Sequence, residues 1–112
     1  MDIQEQRHGA VTVVKPVGPL VQGDSEQFLT RLNEVTSRSL GRFVVDACAV
    51  PYVDSQGLEA LLKVTDELAA SGRSLRLCGV TETLRDVLEL TGLSERFEQY
   101  DDVNAAVRSF LQ

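Results

Sequence analysis

The stretch VPYVDSQGLEALLKV, residues 50–64, joins an apolar segment to an amphipathic one. The apolar segment stops at Asp54, and Ser55, Gln56 and Gly57 follow before leucines recur at helical spacing. An acid or hydroxyl ahead of a helical repeat is typical of an N-cap, and a glycine eases a tight turn. The stretch therefore predicts the end of a strand, a short loop and the start of a helix.

Two apolar runs beside this junction predict buried strands. RFVVDACAV, residues 42–50, is almost continuously apolar, and SLRLCGV, residues 74–80, alternates apolar side chains with Arg76 and Gly79. Runs of this kind suit a sheet that is covered by helices. The first 23 residues are also rich in β-branched side chains, which favours strands there.

Three further helices are predicted from capping residues and apolar periodicity. One begins at Asp24, which with Gln27 resembles a capping box; another covers residues 81–93, capped by Thr81; the last follows Asp101 or Asp102. Residues 97–100 are predicted as a short apolar link between the last two helices. Strands alternating with helices indicate an α/β fold with a mostly parallel or mixed sheet.

Length and charge exclude several classes of protein. The 112 residues are 43% hydrophobic and 25% charged, which predicts one globular domain over residues 1–112. A net charge of −6 disfavours a nucleic-acid partner. No apolar run is long enough for membrane insertion, and the start of the chain lacks the basic and apolar regions of a signal peptide. The expected location is cytoplasmic.

The sequence lacks the parts of a known catalytic centre. His8 is the single histidine, so Ser55 has no credible general base. Neither a phosphate-binding GxxxxGK[ST] loop nor a GxSxG elbow occurs. Asp24, Asp46 and Asp54 could meet at one sheet edge and attract Mg²⁺, but scattered carboxylates usually face solvent or cap helices. We expect no enzyme activity, no cofactor and no metal site.

Two cysteines, Cys48 and Cys78, both lie in strand-like segments. Thirty residues separate them, which matches no zinc-binding spacing. Free cysteine behaves as a small hydrophobe in protein cores. Both thiols are therefore predicted to be buried and reduced.

The residues from Asp54 to Gly57 admit two interpretations. They cap a helix and turn the chain, or they form a site at the carboxyl end of a strand, where ligands and partners of α/β sheets bind. A phosphoryl group on Ser55 would add a charge of about −1.5 to −2. A helix N-terminus stabilises an anion by about 0.3–1 kcal/mol, so the fold would tolerate the group. An interface that buried the phosphoryl group would not tolerate it, because an unpaired buried dianion costs several kcal/mol.

The chain resembles the STAS family, the sulfate transporter and anti-sigma-factor antagonist domains. VDSQGL, residues 53–58, resembles the family's Asp-Ser/Thr-x-Gly-Leu signature. GPL at 18–20, SLRLCGV at 74–80 and LTGLSERFEQYDDVNAAV at 90–107 match further family segments. The resemblance implies a mixed sheet of four to five strands with helices packed mainly on one face.

The resemblance also implies a function, that of an anti-sigma factor antagonist. Such a protein binds an anti-sigma factor that is a serine kinase of the histidine-kinase-like ATPase class. Phosphorylation of the signature hydroxyl, here Ser55, switches the antagonist off, and a phosphatase resets it. The predicted partner-binding residues are Asp54, Ser55, Gln56, Gly57, Leu58, Glu59 and Lys63.

Two positions depart from the family pattern. Many antagonists carry an acid where this chain has Val21, and a second hydroxyl where it has Gln56. An alternative function therefore stays open. The chain would then be the STAS regulatory subunit of an ABC transporter ATPase of the lipid-transport type, and the same surface would bind the ATPase with or without phosphorylation.

Overall fold

A five-stranded sheet organises the chain in the computed structural model, which describes residues 1–111. The strands run in sequence order across the sheet: β1 (Asp2–His8), β2 (Val11–Val17), β3 (Phe43–Asp46), β4 (Arg76–Cys78) and β5 (Glu98–Tyr100). β1 pairs antiparallel with β2 through a hairpin, and every later pair is parallel. This is the mixed α/β sheet that the sequence predicts.

Helices connect the parallel strands and cover the sheet unequally. They are α1 (Asp24–Ser39), α2 (Ser55–Ala69), α3 (Glu82–Leu90) and α4 (Val103–Arg108), with short 3₁₀ helices at Ser94–Arg96 and Ser109–Leu111. Thr81 caps α3 by accepting from Leu84 N, and Asp102 caps α4 by accepting from Ala105 N. The predicted cap at Thr81 is confirmed, and of the two candidates for the last helix the cap is Asp102.

The main core lies between one face of the sheet and helices α1 to α3. Period-two alternation directs Val14, Val45 and Leu77 toward this face, where they meet Phe28 of α1 and Leu61 of α2. A smaller cluster on the opposite face packs the short helix α4 against the sheet: Val11, Val44, Cys78 and Ala106. Helices thus pack mainly on one face, as the family resemblance implies.

The predicted capping box at α1 is wrong. The N-cap of α1 is Gly23, at φ 95°, and it provides no side-chain hydrogen bond. Asp24 Oδ1 instead accepts from the Met1 ammonium group at 3.3 Å, and Gln27 Nε2 donates to the Met1 carbonyl oxygen at 3.2 Å. Both side chains that would form the box therefore bind Met1, just before β1.

Two other local predictions are also wrong. The predicted apolar link at residues 97–100 contains strand β5. This strand has three residues, which is too short for an alternation of apolar and polar side chains to be recognised in the sequence. Cys48 is exposed, because it lies in the turn after β3 rather than within the strand. Cys78 is fully buried as predicted, and burial raises the pKa of its thiol to about 12.

Candidate functional site

The loop before α2 is held against the loop between β2 and α1. Leu20 and Val53 form an isolated parallel bridge. Leu20 N donates to the Tyr52 carbonyl oxygen at 3.1 Å, and Asp54 N donates to the Leu20 carbonyl oxygen at 3.0 Å. These bonds extend sheet-like pairing beyond the ends of β2 and β3. The start of α2 is therefore attached to a second, distant segment of the backbone.

Asp54 strengthens this attachment with both oxygens of its carboxylate. Oδ1 accepts from Gly57 N at 2.9 Å, which caps α2, and Oδ2 accepts from Gln22 N at 2.8 Å. The bond from Gly57 N and then that from Gln22 N are the largest causes that hold the pKa of Asp54 below its usual 3.8. Asp54 is thus an ionised clamp between two loops, with its acceptor oxygens facing backbone donors.

Gly57 is required for space rather than for a turn. It lies in the first turn of α2, and it is absent from the glycines with positive φ. A Cβ at this position would stand 2.2 Å from the Leu20 carbonyl oxygen, a distance that no side chain can adopt. The loop of Leu20 therefore approaches α2 as closely as it does only because residue 57 has no side chain.

Ser55 is exposed and is the first residue of α2. Asp54 precedes it and is the N-cap, so the Ser55 hydroxyl is not needed to cap the helix. Glu59 lies one helical turn further on and is also exposed. A dianion on Ser55 would combine with Asp54 and Glu59 to make this corner of the surface strongly negative.

The predicted partner residues divide into two groups in the structure. Ser55, Gln56, Glu59 and Lys63 are exposed, whereas Gly57 is buried and Leu58 is half-buried against the core. Gly57 and Leu58, together with Asp54, position the helix and form the base of the site. The exposed members are the ones that a partner can reach without distorting the loop.

A shallow groove between α1 and α2 extends this surface. It has a volume of about 250 Å³, and Gln56, Glu59 and Lys63 line its α2 side. Glu26 and Leu29 line its α1 side. Glu26 and Leu29 are not identified by the sequence pattern, because which face of α1 adjoins α2 is decided by helix packing. Their spacing of three residues, which places both on one side of a helix, is the signal that the sequence offers.

The three carboxylates considered for Mg²⁺ do not converge. Asp24 binds the Met1 ammonium group, Asp46 accepts from Cys48 N at 3.1 Å, and Asp54 clamps the two loops. Within residues 1–111, no group of three or more His, Cys, Asp or Glu side chains is placed to hold a metal ion. Over the same residues, no helix is long and apolar enough to cross a bilayer.

Residues 2–106 match the STAS domain family. The match spans almost the whole chain and includes both loops of the site. The chain therefore belongs to the STAS domain family.

Solved structures of similar fold include three proteins related to anti-sigma regulation. A candidate anti-sigma factor antagonist from Thermotoga maritima has a TM-score of 0.89 at 18% identity, covering 98% of this chain and 95% of that chain. An anti-sigma factor antagonist from Mycobacterium paratuberculosis has a TM-score of 0.85 at 21% identity, with 99% and 94% covered. The Bacillus cell fate determinant SpoIIAA in its phosphorylated form has a TM-score of 0.70 at 20% identity, with 96% and 99% covered. At these identities the similarity establishes a common fold.

Proposed function

We propose that this protein is an anti-sigma factor antagonist that binds an anti-sigma serine kinase and is switched off by phosphorylation of Ser55. The observation that carries the proposal is the exposed hydroxyl at the first position of α2, on a loop that is clamped by Asp54 and Gly57. Similarity to the phosphorylated form of SpoIIAA supports it. The protein acts by binding rather than by catalysis, in the cytoplasm where the kinase finds ATP.

The switch acts on binding and leaves the fold unchanged. The N-terminus of α2 favours an added negative charge, and Ser55 is exposed in the free protein, so the phosphoryl group stays hydrated. In the complex, the same group would be buried against the partner beside Asp54 and Glu59. Burying an unpaired charge costs several kcal/mol, which is enough to dissociate a moderately tight complex.

The first test maps the phosphate and mimics it. We expect the cognate kinase with Mg-ATP to add one phosphate, at Ser55, as measured by intact mass and peptide analysis. Ser55→Ala should bind the partner constitutively and change the free energy of unfolding by less than about 0.5 kcal/mol, because Asp54 is the cap. Ser55→Asp should fold normally and bind weakly.

Ser71→Asp provides the matched control, because it adds the same charge at an exposed position beyond the other end of α2. It should bind like the unmodified protein. A phosphate located at another residue would contradict the assignment of Ser55. Equal affinities of Ser55→Asp and Ser55→Ala would show that charge at this loop is not the switch.

The class of partner separates the proposal from the alternative. Affinity capture from native lysate, with the Ser55→Ala protein as bait, should recover a histidine-kinase-like ATPase. Capture of an ABC ATPase, together with an absence of phosphate on Ser55, would instead favour the transporter-subunit function. In each case the captured protein is identified by its sequence. Reciprocal capture, with the purified ATPase as bait, checks the interaction.

The second test concerns the exposed side of α2. Charge-reversing substitutions Glu59→Lys and Lys63→Glu, with Gln56→Glu, should weaken binding while the melting temperature stays nearly constant, because all three residues are exposed. Surface changes of this kind usually alter the free energy of unfolding by less than about 0.5 kcal/mol. Arg85→Glu on α3 is the control, and affinity by calorimetry is the readout. Unchanged affinity in all three variants would remove this face from the interface.

A further inference from the structure

A second cavity lies away from Ser55, at the amino end of the parallel strands. Its volume is about 570 Å³. Arg7 of β1, Arg38 near the end of α1 and Arg42 just before β3 line it, with Thr12 of β2 between them. Ser55 follows the opposite, carboxyl end of β3. The cavity and the proposed switch therefore occupy different edges of the sheet.

The charge of this cavity is opposite to that of the whole protein. Three arginines line it, and Glu5 is the one carboxylate among the lining residues. Glu5 is already shared, since its two oxygens accept from Arg31 and Arg38, each at 2.9 Å. The hydrogen bond from Arg38 is the largest cause that lowers the pKa of Glu5. In a chain of net charge −6, the lining keeps an excess of positive charge.

Arg38 lies in the last turn of α1, but the guanidinium groups of Arg7 and Arg42 are not bonded to the terminal carbonyl oxygens of that helix. The carbonyl oxygen of Thr36 accepts from Gly41 N at 3.0 Å, and that of Ser39 accepts from the backbone N of residue 42 at 3.0 Å. The carbonyl oxygen of Leu40 accepts from Arg73 Nη1, also at 3.0 Å. Among residues 1–111, the guanidinium groups of Arg7 and Arg42 make no short hydrogen bond, so both can serve another acceptor. The contact that Arg7 Nη2 makes with the Gly9 carbonyl oxygen is long, at 3.5 Å.

We propose that Arg7, Arg38 and Arg42 bind a small molecule that carries two linked anionic groups, either phosphates or carboxylates. Guanidinium forks bind such groups through paired, charge-assisted hydrogen bonds. The volume lies in the range of small-molecule sites, which is about 300–1,000 Å³. This binding activity is additional to the proposed anti-sigma function and does not depend on Ser55.

Amide shift mapping of the full chain tests the site, with sodium pyrophosphate and sodium citrate as separate probes at constant ionic strength. Saturable shifts at Arg7, Thr12 and Arg42, with the amides of residues 55–63 unmoved, are the expected result for at least one probe. A response to pyrophosphate alone assigns linked phosphates, and a response to citrate alone assigns linked carboxylates. Linear, unsaturated shifts or no shifts with both probes would overturn the proposal.

Two double variants distinguish binding at this cavity from attraction by the overall charge of the protein. Arg7→Gln with Arg42→Gln should raise the Kd of the responding probe about tenfold or more, since hydrogen bonds to charged groups are the strong ones. Arg85→Gln with Arg108→Gln changes the net charge equally at exposed positions on α3 and α4, and should leave Kd within about twofold. Equal loss in both pairs would overturn the site. If the first pair misfolds, the wild-type shift map decides alone.

Discussion

Helices α1 and α2 begin side by side at the same edge of the sheet, yet their first turns are stabilised differently. At α2, the Asp54 side chain caps the helix by accepting from Gly57 N at 2.9 Å. At α1, Gly23 occupies the N-cap position at φ 95° without a side-chain cap, and the backbone N of residues 24 and 25 donates to the Val21 carbonyl oxygen. Side-chain bonding is therefore concentrated where Ser55 lies.

The comparison shows that one carboxylate serves both helices. Asp54 Oδ2 accepts from Gln22 N in the loop that leads to α1, so the cap of α2 also positions the start of its neighbour. Asp24, at the first position of α1, binds the chain start instead. Substitutions at the start of α2 should therefore matter more than equivalent ones at the start of α1.

The largest effect is expected for Gly57→Ala. A methyl group 2.2 Å from the Leu20 carbonyl oxygen forces the two loops apart, and the free energy of unfolding should fall by about 3 kcal/mol or more. Gly23→Ala is the matched change at α1. Its Cβ meets open space, so only the positive φ is penalised, by about 1–2 kcal/mol. Urea unfolding of both variants measures the difference, and equal midpoints would refute the close-approach explanation.

An intermediate effect is expected for Asp54→Asn. The amide oxygen can still accept from Gly57 N, but the amide NH₂ cannot accept from Gln22 N, so the clamp loses one of its two bonds. The melting temperature should fall at neutral pH, where the carboxylate is ionised. Because the folded-state pKa of Asp54 is depressed, its stabilisation is fully present above the usual 3.8 and is lost as pH falls through the folded pKa.

Thermal melts at a series of pH values check the direction in which the stabilisation by Asp54 changes with pH. The difference in melting temperature between wild type and Asp54→Asn should be constant above pH 3.8 and should shrink as the pH is lowered further. A difference that grows on acidification would show that another group is responsible.

The smallest effect is expected for Asp24→Asn. The ion pair of Asp24 Oδ1 with the Met1 ammonium group is 3.3 Å long and partly exposed, and an amide oxygen can replace the acceptor. Pairs of this kind contribute about 0–1 kcal/mol, so the free energy of unfolding should change by less than about 0.5 kcal/mol. Unfolding in the buffer used for Asp54→Asn gives the direct comparison. A larger loss than that of Asp54→Asn would reverse the ranking of the two helix starts.

The sequence by itself determined the elements whose signals are local. The apolar runs at residues 42–50 and 74–80 contain β3 and β4, and Thr81 caps α3 as predicted. Asp54 and Asp102 cap α2 and α4, and each was one of two adjacent candidates in the sequence. A cap bonds to a backbone N–H within three residues, so the pattern and the contact occupy the same short segment. The signature at residues 53–58 likewise begins helix α2, but β3 ends earlier than predicted, at Asp46, and Val53 forms only an isolated bridge.

Only the tertiary structure decided the contacts between distant segments. Gln22 and Asp54 are 32 residues apart, and the close approach of Leu20 to Gly57 has no local signal. The failure of the capping box at Asp24 has the same origin, because Met1, just before β1, supplies a competing partner 23 residues away. Arg7 meets Arg38 and Arg42, which lie close together in the chain but far from Arg7, in the cavity at the other edge of the sheet for this reason also. Periodicity records which face of an element is apolar, but which elements meet depends on how the sheet and helices pack.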